Sequence, residues 1–165
     1  MHIAMPAIQP IGVIRTPFHG AAGTPIQSSV ACGAEGRVEL LPEFAPGLRD
    51  LAGFERVWLL YSFHHASEPQ LLVRPYLDKV ERGVFATRAP ARPNRIGMSA
   101  VRLLGIQGAT LLVSDVDMLD GTPLLDVKPY VPAFDHFPVE RTGWYRGVSP
   151  KGAVADSRFE RPKGE

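Results

Sequence analysis

Sixteen prolines and sixteen glycines are scattered through 165 residues, leaving almost no stretch long enough for a helix of ordinary length. Proline fixes φ and removes a main-chain donor, and glycine loses the most backbone entropy in regular structure. The pieces between them read as short strands. "IQPIGVIR" (8–15) is β-rich and ends at Thr16-Pro17, and "GRVELL" (36–41) alternates polar and apolar residues. "FERVWLLYSF" (54–63) is the strongest strand, followed by "GVFAT" (83–87), "GMSAVRLLGI" (97–106) and "TLLVSDVDML" (110–119). Gln107-Gly108-Ala109 joins the last two as a hairpin, and in "LLDVKPYV" (124–131) Pro129 marks an edge or a bend. "PEFAPGLRDLAGF" supports no more than a short helix after Pro46. Six or seven short strands with scarce helix predict a mainly β chain, a small barrel or sandwich closed so that its edges are covered.

The length and an apolar content of 45% suit one core, which gives a single domain over 1–148 and a flexible C-terminal tail over 149–165, frayed unless Phe159 docks. No segment resembles a membrane span or signal peptide, so a soluble, cytoplasmic protein is expected. The single cysteine, Cys32, forms no internal disulfide and reads as a small buried or half-buried residue. Charge is unevenly spread. From Arg74 to Arg102 seven basic residues oppose Asp78 and Glu81, whereas from Leu103 to Glu140 six acidic residues oppose Lys128 alone. Charge alone favours salt bridging between the two stripes over an anion-binding face beside a cation pocket.

The common glycine-rich nucleotide fingerprints, zinc spacings and serine-hydrolase elbow are absent. His64-His65 follow a strong strand. Adjacent residues on an extended chain face opposite ways and no third ligand is spaced to join them, so one histidine faces a ligand, the other is structural, and no metal is expected. In "RAPARPNRIG" the prolines Pro90 and Pro93 hold Ala89 and Arg92 extended on a stiff loop. Taken alone, that loop reads as a rigid connection with solvated arginines, "DMLDGTP" as a tight turn, and Pro25-Ile26-Gln27 as an irregular polar stretch.

The combination is more specific. "IGVIRTPF", "GRVEL", "FERVWLLYSFHH", "GVFATRAPARPNRIGMS", "DMLDGTPLLDVKPYVPAFD" and a closing "GW" occur in one order from about Ile11 to Trp144. Together they resemble the TsaA-like (TrmO) family. The resemblance implies an S-adenosylmethionine-dependent methyltransferase on a small closed β-barrel with short helices, not a Rossmann sheet, acting on N6 of threonylcarbamoyl-modified adenosine beside the tRNA anticodon. It also implies a homodimer. Carried over by motif, cofactor contacts fall at Pro25, Ile26, Gln27, Phe63, His64, His65, Arg88, Asn94, Ile96, Gly97, Met98, Leu119, Asp120, Gly121 and Thr122. Many relatives carry a proline where this chain has Arg95, and longer members have a C-terminal extension.

Within that resemblance, Phe63, Ile96, Met98 and Leu119 supply apolar walls around a sulfonium, and Asp120 supplies charge. Arg88, Arg92, Arg95 and Lys128, together with Tyr130, would meet tRNA phosphates or the threonyl carboxylate. His64, Asp120 and Asp126 stand as unranked candidates for a general base. A non-catalytic module binding S-adenosylmethionine or RNA, and a methyltransferase for a small molecule or another RNA, remain the alternatives.

Overall fold

The structure, a computed structural model, describes residues 7–162. Six strands close into an antiparallel barrel: β1 (Gly12–Arg15), β2 (Glu35–Leu40), β3 (Arg56–Ser62), β6 (Ile96–Gln107), β7 (Thr110–Ser114) and β8 (Thr122–Pro129). Around the barrel the order is β1, β2, β7, β6, β3, β8, with β8 returning to β1. The remaining pair, β4 (Leu72–Val73) and β5 (Arg82–Gly83), forms a separate two-stranded sheet within the connection from β3 to β6.

Side-chain alternation explains the closure. Along β3 the inward set is Val57, Leu59 and Tyr61, and along β6 it is Gly97, Ser99 and Val101. Ile14, Val38, Leu111, Val113, Val116 and Leu124 complete a core with no exposed surface. Each such side chain contributes about 1.5–3 kcal/mol by leaving water. Bulges interrupt two ladders. One between Leu60 and Tyr61 leaves Leu125 of β8 without a partner on β3, and the other lies between Leu103 and Gly105.

The registers place the ends of the strands. Ser62 pairs with Ile96, Ile14 with Thr122, and Glu35 with Ser114, so the connections 16–34, 63–95 and 115–121 all emerge at one end of the barrel. The hairpin at Gly108 and the 3-10 turns Pro42–Leu48 and Leu51–Gly53 lie at the other. From β8 the chain passes through one α-turn, Pro132–Asp135, and then runs back to the first end. There Val154 bridges to Pro25 and Glu160 to Ala66.

Several local expectations change. "GVFAT" is not a strand: after β5 it becomes a 3-10 turn, Val84–Ala86, that buries Val84. "TLLVSDVDML" leaves the sheet at Asp115, whose φ of 68° breaks the extended run. The 3-10 turn in "PEFAPGL" begins at Pro42 and includes Pro46, which opens a second turn by accepting from Arg49 N at 3.4 Å, so its missing donor is not called on. Cys32 is exposed, with φ at 53°, rather than buried.

The tail docks through Phe159. That residue is 5% exposed and joins Val73, Val84, Ala89 and Ala91 in a second, smaller core, with Tyr76 edge-on at 5.2 Å. The basic and acidic stripes do not pair with each other among the described residues. Arg82, Arg95 and Arg102 bind Asp78, Glu68 and Glu55, while Asp115 and Asp126 take Arg56 and Lys128. No helix among the described residues is long and apolar enough to cross a membrane, and no group of three potential metal ligands occurs there.

Candidate active site

Where the three connections and the returning tail converge, they enclose a cavity of about 580 Å³, within the size range of small-molecule sites. Its walls come from Pro25-Ile26-Gln27, the Phe63 to His65 corner, the Arg88 loop, the start of β6, the segment before β8, and the tail.

The start of β6 is shaped around Gly97. A Cβ there would lie 2.6 Å from Tyr61 Cζ and 2.8 Å from Phe63 Cζ, so only glycine lets the Tyr61 ring cross the strand. Phe63 meets that ring edge-on at 5.4 Å, and Ile96 and Met98 flank it on the cavity side.

His64 and His65 occupy a turn rather than an extended stretch, which corrects the expectation that they face opposite ways. Their rings lie 4.1 Å apart and both line the cavity. Burial, then the neighbouring His65, lowers the His64 pKa below its ordinary 6.5, so the ring is neutral at pH 7. Thr122 Oγ1 donates to Leu119 O at 2.7 Å and stands 3.4 Å from His64 Nδ1. Main-chain hydrogen bonds to Ser62 and Asp120 favour the charged ring, but do not outweigh burial.

Arg88 donates to Gln27 Oε1 at 2.6 Å, and Gln27 Nε2 donates to Ile26 O at 2.6 Å, tying the Pro25–Gln27 wall to the arginine loop. Arg92 also lines the cavity, but its Nη1 folds back on Thr87 O (3.1 Å) and Ala89 O (3.4 Å) and fastens its own loop.

Other expected site residues lie elsewhere. Arg95 pairs with Glu68 at 3.0 Å, outside the cavity lining, so it does not face the ligand space. Its φ of 48° is one that proline cannot adopt. Asn94 is exposed and outside the lining. Asp120 accepts from the Thr16 amide at 3.1 Å and anchors the end of β1, and Gly121 bonds to Ile14 O at 2.9 Å. Neither lines the cavity. Asp126 pairs with Lys128 at 2.8 Å, and Tyr130 packs on Trp58 at 5.7 Å; all three lie outside the lining, along β8 and just past its end.

Three contributions escape sequence reasoning. Trp144 and Tyr145 stack 3.8 Å apart at the cavity wall, with Trp144 Nε1 fixed to Ala86 O at 2.8 Å and Arg82 over the indole at 5.6 Å. Phe159 and Glu160 bring the tail into the lining. The third is Asp117, which accepts from Ser99 Oγ at 2.6 Å while Tyr61 Oη lies 3.0 Å from the same hydroxyl. Burial pushes the Asp117 carboxyl up to about 6, against the lowering effects of the Ser99 hydrogen bond and Arg88. Signals for Ser99 and Tyr61 existed, since both sit at inward positions of alternating strands and are polar.

The family model for the tRNA-methyltransferase O N-terminal domain matches residues 13–136. The chain belongs to this family. A "Probable S-adenosyl-L-methionine-binding protein" of Pyrococcus abyssi is 54% identical over 136 residues, covering 82% of this chain and 74% of its own. The tRNA (adenine(37)-N6)-methyltransferase of Mus musculus is 36% identical over 136 residues, covering 77% of this chain but 31% of the mouse protein. Among solved structures, the crystal structure of TrmO from Pseudomonas aeruginosa superposes with a TM-score of 0.72 at 43% identity, covering 86% of this chain and 63% of that one. The chain thus spans less than two thirds of that solved TrmO chain. The match to the TrmO N-terminal domain stops at residue 136, so Trp144, Tyr145, Phe159 and Glu160 line the cavity from outside the matched region.

Proposed function

We propose that the cavity binds S-adenosylmethionine and that the chain transfers its methyl group to N6 of threonylcarbamoyl-modified adenosine in tRNA. The observation that carries this reading is one cavity that joins an apolar wall, a stacked aromatic pair, an arginine and a buried carboxylate on the barrel of a TrmO-family domain. Relatives support it by name: the Pyrococcus protein for the cofactor, the mouse protein for the reaction.

The residues present fit the cofactor. Phe63, Ile96, Met98 and Leu119 would wall the sulfonium end, the Trp144–Tyr145 pair offers a stacking face for a purine, and Arg88 offers a fork for a carboxylate. When bound, the cofactor supplies an electrophilic methyl group on a positively charged sulfur. The protein's part is positioning: rigid barrel ends and a proline-stiffened loop hold the walls in place with little freedom left to lose on binding. The neutral His64 ring lies at the same wall.

A homodimer and a cytoplasmic location belong to the same reading. In support of a dimer, Phe134, Phe137 and Val139 are 73%, 72% and 69% exposed, apolar surface of the kind a second copy covers.

Thermal unfolding with added S-adenosylmethionine tests cofactor binding. A ligand that binds only the folded state at 100 times its Kd adds about 2.7 kcal/mol, several degrees for a chain of this size. No shift at saturating ligand contradicts the proposal.

A further inference from the structure

Three polar side chains form a one-way chain at the floor of the cavity. Tyr61 and Ser99 point inward from β3 and β6, at positions where neighbouring residues of the same faces are Leu59 and Val101. Ser99 Oγ donates to Asp117 Oδ1 at 2.6 Å. Its single hydrogen is thereby used, so the 3.0 Å contact with Tyr61 Oη is a donation from the phenol to the serine. The relay runs from Tyr61 through Ser99 to Asp117 Oδ1, and main-chain hydrogen bonds from Ser28 and from Asp117 itself also hold the carboxylate. No side chain among the described residues donates to the other oxygen, Oδ2, and Asp117 lines the cavity.

Asp120, Asp126, Glu160 and His64 lie outside the cavity or are already engaged. Asp120 is held by the Thr16 amide outside the cavity, and Asp126 is paired with Lys128 on the barrel flank. Glu160 lies on the tail, with Ala21 N at 3.4 Å and Ala66 beside it in a β-bridge. The His64 ring is engaged by Thr122 Oγ1 at 3.4 Å and by the Ser62 and Asp120 main chain.

Resting on the methyl-transfer reading, we propose that Asp117 is a catalytic residue that accepts the proton of the acceptor nitrogen, with Ser99 and Tyr61 as positioning residues. As the new N–CH3 bond forms, the N–H proton passes to Asp117 Oδ2 and the pair of the breaking S–CH3 bond stays on sulfur, which leaves as a neutral thioether. Asp117 then returns its proton to solvent. The groups that face it are Ser99 and Tyr61 from the strands, the Ser28 main chain from the β1–β2 connection, and Arg88 from the loop after β5. Their balance with burial leaves the carboxyl at about 6, ionised at pH 7.5 yet more basic than an exposed aspartate.

The test compares Asp117→Asn and Ser99→Ala with wild type in the full chain. Single-turnover transfer to threonylcarbamoyl-modified tRNA is measured against pH, and S-adenosylhomocysteine binding is measured by calorimetry. Asp117→Asn keeps the shape and an acceptor for Ser99 but takes up no proton. Its rate should fall by about 10²–10⁴-fold while analogue affinity stays within about threefold. The wild-type rate should rise with pH to a plateau with a midpoint near 6, and the Asn variant should lack that rise. Ser99→Ala removes a bond that lowers the Asp117 pKa, so its midpoint moves upward, a change that a merely structural serine would not produce. Near wild-type transfer by Asp117→Asn overturns the proposal, and so does loss of analogue binding, which would assign the carboxylate to holding the donor. Wild-type protein that binds the analogue and methylates no tRNA overturns the methyl-transfer reading itself, and this role with it.

Discussion

Gly97 lies against the ring of Tyr61, with no room between them for a single carbon: a Cβ at Gly97 would stand 2.6 Å from Tyr61 Cζ. The absence of that carbon lets the phenol reach Ser99. Gly97→Ala therefore displaces an aromatic side chain that is only 4% exposed. Overpacking of this kind costs about 1–3 kcal/mol. A lower urea midpoint with unchanged m value is expected, together with weaker S-adenosylhomocysteine binding. Unchanged stability and binding would show that the ring has space to move.

Asp117 makes stability depend on pH in a defined direction. Folding raises its pKa from 3.8 to about 6, so the folded state holds this proton more tightly than the unfolded state. Below pH 3.8 both states are protonated and the group contributes nothing. Between the two values the unfolded chain ionises first, and above about 6 the folded state carries the full cost. At about 1.4 kcal/mol for each tenfold change in proton affinity, that cost is about 2–3 kcal/mol. Asp117→Asn should thus gain stability relative to wild type between pH 4.5 and 7.5, measured by urea unfolding at both. A difference that stays constant or reverses contradicts the burial assigned to this carboxylate.

Phe159 is the pin that holds the tail to the cavity. Its carbonyl accepts from Ser67 N at 2.8 Å, and Arg161 N donates to His65 O at 2.8 Å, so tail and histidine corner close together. Replacing a buried Phe with Ala costs about 3–5 kcal/mol in a well-packed core. In this small satellite cluster the loss should appear as local opening. Phe159→Ala should speed hydrogen exchange at Ser67 and weaken analogue binding while leaving exchange in β3 and β6 unchanged. Uniform acceleration across the barrel would mean that the tail is part of the main core.

The barrel was legible because proline and glycine spacing left only strand-length pieces, and alternation in "RVWLLYS" and "GMSAV" set their inward faces. Motif order named Phe63, Ile96, Met98, Leu119, Gln27 and Arg88, all of which line the cavity, but not the bond between the last two. What escaped depends on contacts distant in sequence. Asp117 reads in isolation as one more acidic residue in a charged run; only strand closure sets it against Ser99, 18 residues away. Asp120, two residues before Thr122, drew the functional reading, yet the Thr16 amide takes it to the outside of the cavity. Lys128 and Tyr130 share a motif with Thr122, but a strand rises about 3.3 Å per residue, which carries them away from it. Trp144 and Tyr145 reach the site from beyond the last strand, through a chain reversal that no periodicity encodes.

Methyl transfer from labelled S-adenosylmethionine to tRNA, with and without the threonylcarbamoyl group, tests the proposed activity most directly. Label should appear on the modified adenosine, and the unmodified tRNA should remain unlabelled. Protein that binds the cofactor but labels neither tRNA would contradict the assignment and leave a cofactor-binding barrel without this chemistry.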